Sequence, residues 1–250
     1  MVKVNLRAAI AAGVCALLSH SPAAAQTPAT ATIDDIMALR QLGTPHAGLA
    51  LSPDRRWIAV FQEQDDATQN DARFTLLLIR SDGARSPRTI GDGGGVIWHD
   101  ENGRQSGAMI DRFLRWSPDS RSVAYLKRVG DRVEVWASAI EAGARQLASL
   151  PGDIRDFAWI SPGQLVVLEA TPRDELAQTS AANFAHGYRL SEDLDLTYSQ
   201  TPTPAVLRHS TRLVIDTNTG AARPATDAEA AALSPAAATR PAWIAARDSH

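Results

Sequence analysis

The chain has 250 residues, 44% hydrophobic and 21% charged, an ordinary globular balance. Lysine and arginine number 25 against 28 aspartate and glutamate, and no basic run exceeds two residues, which excludes the clustered positive footprint of a nucleic-acid binder. The single cysteine, Cys15, falls in the leader at the chain's start, so the mature chain has no disulfide, cysteine nucleophile or cysteine-bound metal.

Residues 1–25 read as a secretory signal peptide. Lys3 and Arg7 form a positive start, residues 8–18 an apolar stretch, and Ala23-Ala24-Ala25 a small-residue cleavage site that leaves Gln26 first. The apolar stretch is too short to span a membrane. Export without disulfides points to a bacterial periplasm, and no membrane association is expected after cleavage. Residues 26–44 are a spacer and a short helix. Thr32-Ile33-Asp34-Asp35 resembles a capping box with Asp in place of Glu or Gln. Ile33, Ile36, Met37 and Arg40 share one helical face, which predicts a helix over 32–41, stopped at Gly43 and docked on the domain that follows.

Residues 45–250 carry a recurring phrase. In residues 112–136 (RFLRWSPDSRSVAYLKRVGDRVEVW), a strand ends at Trp116, and Ser117-Pro118-Asp119-Ser120 turns the chain. Val123, Ala124, Tyr125 and Leu126 then form a strand apolar on both faces, hence buried on both. Gly130-Asp131 makes a two-residue type II′ hairpin into Val133 and Val135. The phrase returns at Leu51-Ser52-Pro53-Asp54, at Ile160-Ser161-Pro162-Gly163 and at Leu233-Ser234-Pro235, each followed by an apolar run. Intervals between the four serines are 65, 44 and 73 residues. A four-stranded propeller blade takes about 40–45 residues, so the longer intervals hold a blade plus an insertion. The phrase resembles the TolB-like propeller repeat, from which the chain departs at Arg55 and Ser120, where that repeat usually has Gly.

The fold expected is therefore all-β: an incomplete β-propeller of four-stranded blades, three blades plus part of a fourth, preceded by the short helix. Blade one runs from about Leu49 to Ile90, with a polar loop over 63–71. Blade two closes near Gln146-Leu147, and blade three begins at Ile154. The chain stops at the second strand of the fourth copy, so open end faces, and self-association through them, are expected. Residues 91–110, with three successive glycines, read as a solvated loop between blades. No Gly-Lys-Ser/Thr follows to make a phosphate loop, and His99, Asp100 and Glu101 are adjacent rather than spaced for a metal. Residues 171–203, which include Phe184 and His186, read as a second long polar loop, and residues 225–238 are Ala-rich and ambiguous.

Several stretches together resemble the N-terminal part of lasso peptide isopeptidases, exported members of the prolyl oligopeptidase family. They are Ile36-Met37-Ala38-Leu39-Arg40, Gly91-Asp92-Gly93-Gly94, Trp116-Ser117-Pro118-Asp119, residues 154–159 (IRDFAW) and residues 214–220 (VIDTNTG). The resemblance implies a propeller followed by an α/β-hydrolase domain with a Ser-His-Asp triad, the propeller admitting a threaded peptide as substrate. It implies no catalytic residue here, since no Gly-x-Ser-x-Gly elbow occurs: Gly103-Arg104-Gln105-Ser106-Gly107 has the wrong spacing. Ser52, Ser117, Ser161 and Ser234 sit in repeat turns, and His46, His99, His186 and His209 are scattered among loops. No catalytic, cofactor-binding or metal-binding residue is assigned. The competing reading is a TolB-like propeller scaffold that binds protein partners without chemistry.

Overall fold

The computed structural model describes residues 32–43, 48–100, 105–186 and 210–233. The expected leader, His46, Glu101, His209 and the fourth Ser-Pro phrase lie outside them. Residues up to Ile36 and those from Met37 onward form two separate compact units. At the boundary is α1 (Ile33–Met37), five residues long. Thr32 starts it: its Oγ accepts the Asp35 N–H at 3.1 Å, while the Asp35 carboxylate accepts the Thr32 N–H at 2.8 Å. This is the expected box, but the helix is half the expected length. Residues 40–42 are instead β1 (Arg40–Leu42), because the exposed edge of β3 (Trp57–Asp66) offers backbone partners that a helix cannot use: Arg40 pairs with Gln64 and Leu42 with Gln62.

Three antiparallel four-stranded meanders follow. In blade 1, β2 (Leu49–Leu51) continues β1 along the same edge of β3, so the two make one interrupted inner strand. β4 (Asp71–Arg80) and β5 (Arg88–Gly94) complete the sheet. After a hairpin of β6 (Trp98–Asp100) and β7 (Gln105–Met109), blade 2 comprises β8 (Arg115–Trp116), β9 (Ser122–Val129), β10 (Arg132–Ala139) and β11 (Gly143–Ala148). Blade 3 comprises β12 (Ile154–Ser161), β13 (Gln164–Ala170), β14 (Ser210–Asp216) and β15 (Ala222–Pro224), with α2 (Arg173–His186) inserted between β13 and β14. Beyond it lies α3 (Asp227–Ala230).

The central strand of blade 2 shows what holds the stack together. Val123 and Tyr125 pack with Phe61, Leu76 and Leu78 of blade 1. Ala124 and Leu126, on the other face, pack with Phe157, Leu165 and Val167 of blade 3. All four are fully buried. Period-two alternation with both faces apolar is what a sheet sandwiched between two sheets demands. Indole N–H groups add a register mark: Trp116 donates to the Ala50 carbonyl of blade 1 at 3.0 Å, and Trp159 to the Arg115 carbonyl of blade 2 at 3.1 Å. Ala50 and Arg115 occupy the same position in their repeats, two residues before the serine. The two tryptophans differ by one position, and the strand irregularity between Trp159 and Ser161 accommodates the difference. Leu233 packs on the far face of blade 3, against Ala158, Val166 and Val214. On blade 1, Leu49 and Leu51 stay 64% and 50% exposed.

The repeat turns explain why serine and aspartate recur. Ser52 Oγ donates to Asp54 at 2.5 Å and accepts the Trp57 N–H at 3.0 Å; Ser117 Oγ donates to Asp119 at 2.6 Å and accepts the Ser122 N–H at 3.0 Å. Arg55 and Ser120, standing where glycine was expected, do adopt the left-handed backbone, with φ of 59° and 60°. That conformation costs a non-glycine residue about 1 kcal/mol. Ser120 offsets it by accepting the Asp54 N–H at 3.0 Å, which joins the two blades' turns. The third phrase differs, since Pro162-Gly163 directly links Ser161 to its partner Gln164.

Both turn carboxylates lie below the ordinary 3.8, first through the serine hydroxyl and then through a backbone N–H. A depressed carboxyl pKa gives stability that is present above about pH 4 and lost as pH falls further. The melting midpoint is therefore expected to drop below pH 4, and to drop less steeply when Asp54→Asn and Asp119→Asn are combined. Calorimetry from pH 6 to pH 3 checks this; parallel curves would show that these turns do not contribute.

Three segments depart from expectation. The polar loop over 63–71 is mostly strand: β3 runs to Asp66, β4 starts at Asp71, and Asp66 closes a short turn by accepting the Thr68 and Gln69 N–H groups. Residues 91–94 belong to β5, so blade 1 ends at Gly94, and residues 98–100 and 105–109 are paired strands, β6 and β7, where a loop was expected. A glycine strand is required here because a Cβ at Gly93 would lie 2.6 Å from Phe61 Cε1. The long polar stretch after Thr171 begins with α2, whose first turn carries Asp174 and Glu175, favourable at a helix N-terminus. In the ambiguous Ala-rich stretch, Thr226 and Glu229 form a capping box that starts α3.

Candidate functional site

In an up-and-down blade, the first and third turns fall at one end of the strands. The second turn and the blade-to-blade connection fall at the other. The Ser-Pro-Asp turns take the first end, where Ser81 Oγ donates to the Arg55 carbonyl at 2.7 Å and so ties the first turn of blade 1 to its third. Both insertions fall at the opposite end. The β6–β7 hairpin interrupts the connection from blade 1 to blade 2, and α2 interrupts the second turn of blade 3. Arg173, at the start of α2, donates to the Asp131 carbonyl of the β9–β10 turn at 2.5 Å and pairs with Asp153 at 2.7 Å, which anchors the helix base to blades 2 and 3. Further along, Ala177, Ala181, Phe184 and Ala185 are exposed, Phe184 by 83%.

The seam between blades 1 and 2 supports the hairpin. Arg112, 1% exposed, lies with its guanidinium 3.8 Å from the centre of the Phe74 ring and 5.7 Å from that of Phe61. It donates to the carbonyls of Gly93 and Gly95. Burial pulls its pKa down to about 9, opposed by Glu63, so it remains a cation at neutral pH. Around it, Asp71 pairs with Arg128 and accepts the Val96 N–H at 2.9 Å, and Asp92 pairs with Lys127 at 3.0 Å.

None of the three described repeat-turn serines is placed as a nucleophile. Ser52 and Ser117 are buried, and their hydroxyls are committed to turn bonds. Ser161 pairs within a hairpin. Of the histidines, His99 falls in β6 and His186 at the end of α2. Among the described residues, no three His, Cys, Asp or Glu side chains gather as a metal site. A cleft of about 70 Å³ between blades 2 and 3, lined by Ser117, Asp119, Arg145, Trp159 and Pro162, has room for water but not for a peptide. Sequence reading gave Arg112 no role: it lies three residues past the end of β7, and nothing in its own neighbourhood marks it as buried.

What the blades define, among the described residues, is an incomplete β-propeller of three four-stranded sheets with both insertions at one end. No family model matches the chain. It is 30% identical over 156 residues to the lasso peptide isopeptidase AtxE2 of Asticcacaulis excentricus, a match that takes in 58% of this chain and 22% of that protein. Two solved structures of AtxE2 superpose on it. A serine-to-alanine variant with Astexin3-dC4 bound gives a TM-score of 0.69 at 27% identity, covering 81% of this chain and 33% of the other. The apo form gives 0.66 at 26%, covering 80% and 33%. The resemblance to lasso peptide isopeptidases read from the motifs is thus borne out, and the chain spans about a fifth to a third of the length of these relatives. Among the described residues, no helix is long and apolar enough to cross a membrane.

Proposed function

We propose that this chain is the N-terminal, substrate-gating propeller portion of a periplasmic serine peptidase that opens the isopeptide ring of threaded lasso peptides. On this reading residues 1–25 direct export, and the hydrolysis itself belongs to an α/β-hydrolase domain. The observation that carries the gating role is the placement of both insertions at one end of the blades instead of at opposite ends. The likeness to AtxE2, one of whose structures holds Astexin3-dC4, supports a peptide as the ligand.

Residues 26–250 alone are expected to bind a threaded lasso peptide weakly and to leave it intact. Acyl transfer needs an activated nucleophile, an oriented base and an oxyanion hole, and among the described residues the hydroxyls of Ser52 and Ser117 are committed to turn bonds instead. Mass spectrometry of peptide incubated with the purified chain is expected to show no product one water heavier, and titration to show binding that fails when residues 98–109 are replaced by a two-residue turn. Linearised peptide, after contaminating peptidases are excluded, would overturn the non-catalytic assignment. Binding that survives the replacement would overturn the gating role.

A further inference from the structure

The hairpin insertion leaves blade 1 after Gly94 and enters blade 2 before Arg115, so its two stems meet at the seam. We propose that Arg112 is a clasp that locks the β6–β7 hairpin in one orientation over the insertion-bearing end, a device separable from the folding of the blades. The guanidinium on the returning stem bonds the carbonyl of Gly93, in the last strand of blade 1, and that of Gly95, at the start of the departing stem. The backbone of the same residue is fixed to blade 2, since its carbonyl accepts the Leu126 N–H at 2.8 Å. The ring of Phe74, 3.8 Å away, fixes the plane of the guanidinium.

An apolar side chain would fill this seam without the cost of desolvating a cation. Only a planar fork reaches two separate carbonyls and stacks at once; an ammonium does not. The stems above the clasp are joined by the Ile110 N–H on the Ile97 carbonyl at 2.8 Å and steadied by the Val96 N–H on Asp71. The two stems are thus tied to each other and to both blades at the seam. Its consequence for peptide entry rests on the gating reading, whereas the clasp itself does not.

Amide hydrogen exchange on the purified mature chain tests the clasp without any peptide. Arg112→Met is expected to speed exchange at Val96 and Ile110 by about tenfold or more while Val166 and Val214 of blade 3 keep their rates. Arg112→Lys is expected to fall between, because an ammonium reaches one carbonyl at a time. Unchanged exchange at the stems, or a uniform rise through all three blades, would overturn the proposal: the first shows stems held without Arg112, the second a merely structural arginine. Should Arg112→Met not fold, Phe74→Leu removes the stacking face and keeps the carbonyl bonds. It must then give the same local pattern at smaller amplitude, and an absent or uniform response overturns the clasp. Local exchange as expected in a chain that binds no threaded peptide would fault the gating reading alone.

Discussion

Truncating Phe157 to alanine is expected to remove about 3–5 kcal/mol of stability and to uncouple blade 3 from blade 2. The ring is fully buried on the inner strand of blade 3 and packs among Leu126, Val135 and Leu165. Its outer face carries the Arg115 guanidinium, 5.1 Å from the ring centre, which in turn pairs with Asp156 at 2.7 Å. Losing the ring therefore opens a cavity and also unseats an inter-blade ion pair whose carboxylate is only 8% exposed. In a stack where each sheet touches only its neighbours, the loss concentrates at one seam. Urea unfolding is expected to split or to shift to a lower midpoint, while Phe157→Leu, which keeps most of the buried apolar volume, costs less than the alanine change. A loss for alanine below about 1 kcal/mol would show that blades 2 and 3 do not share a packed core.

The parts of this fold that were legible in the sequence are those whose physics is local. The Ser-Pro-Asp turns announce themselves because serine and aspartate bond their own backbone within five residues. The strand at Val123–Leu126 was readable because burial on both faces leaves four apolar residues in a row. Gly130 was readable because a two-residue hairpin needs φ > 0, and it has 61°. What escaped depended on partners far away in the chain. The strand character of residues 91–94 is written in Phe61, Phe74, Tyr125 and Ser138, whose side chains occupy the space that glycine leaves. The burial of Arg112 depends on rings and carbonyls far away in the chain, from Gly95 to Phe61, which its local sequence does not announce. The capping box at Thr226 and Glu229 was locally written and overlooked, hidden in an alanine-rich run. The common end of the two insertions follows from counting strands, once β5 is recognised as one.

Replacing Gly93 by alanine is expected to cost about 1–3 kcal/mol, an overpacking penalty inside a well-filled seam. The new methyl would lie 2.6 Å from Phe61 Cε1 and 2.9 Å from Phe74 Cβ, both well inside contact distance. Neither ring can step aside. Phe61 is held edge-on against Phe74 at 6.3 Å and against Tyr125 at 5.4 Å, and Arg112 lies across both phenylalanines. Displacing the strand instead would carry the Gly93 carbonyl away from the Arg112 guanidinium, so every relaxation spends an interaction of the clasp. The conflict is specific to one pair of groups, which makes it open to a double-mutant cycle. Phe61→Leu alone removes ring contacts and is destabilising, yet it vacates the space that a methyl at position 93 would take. The double variant is therefore expected to be more stable than the sum of the single losses by at least about 0.5 kcal/mol, measured by denaturant unfolding at a common temperature. Strict additivity would mean that the methyl is absorbed elsewhere. In that case the close approach of strand to ring would not be what requires glycine at position 93.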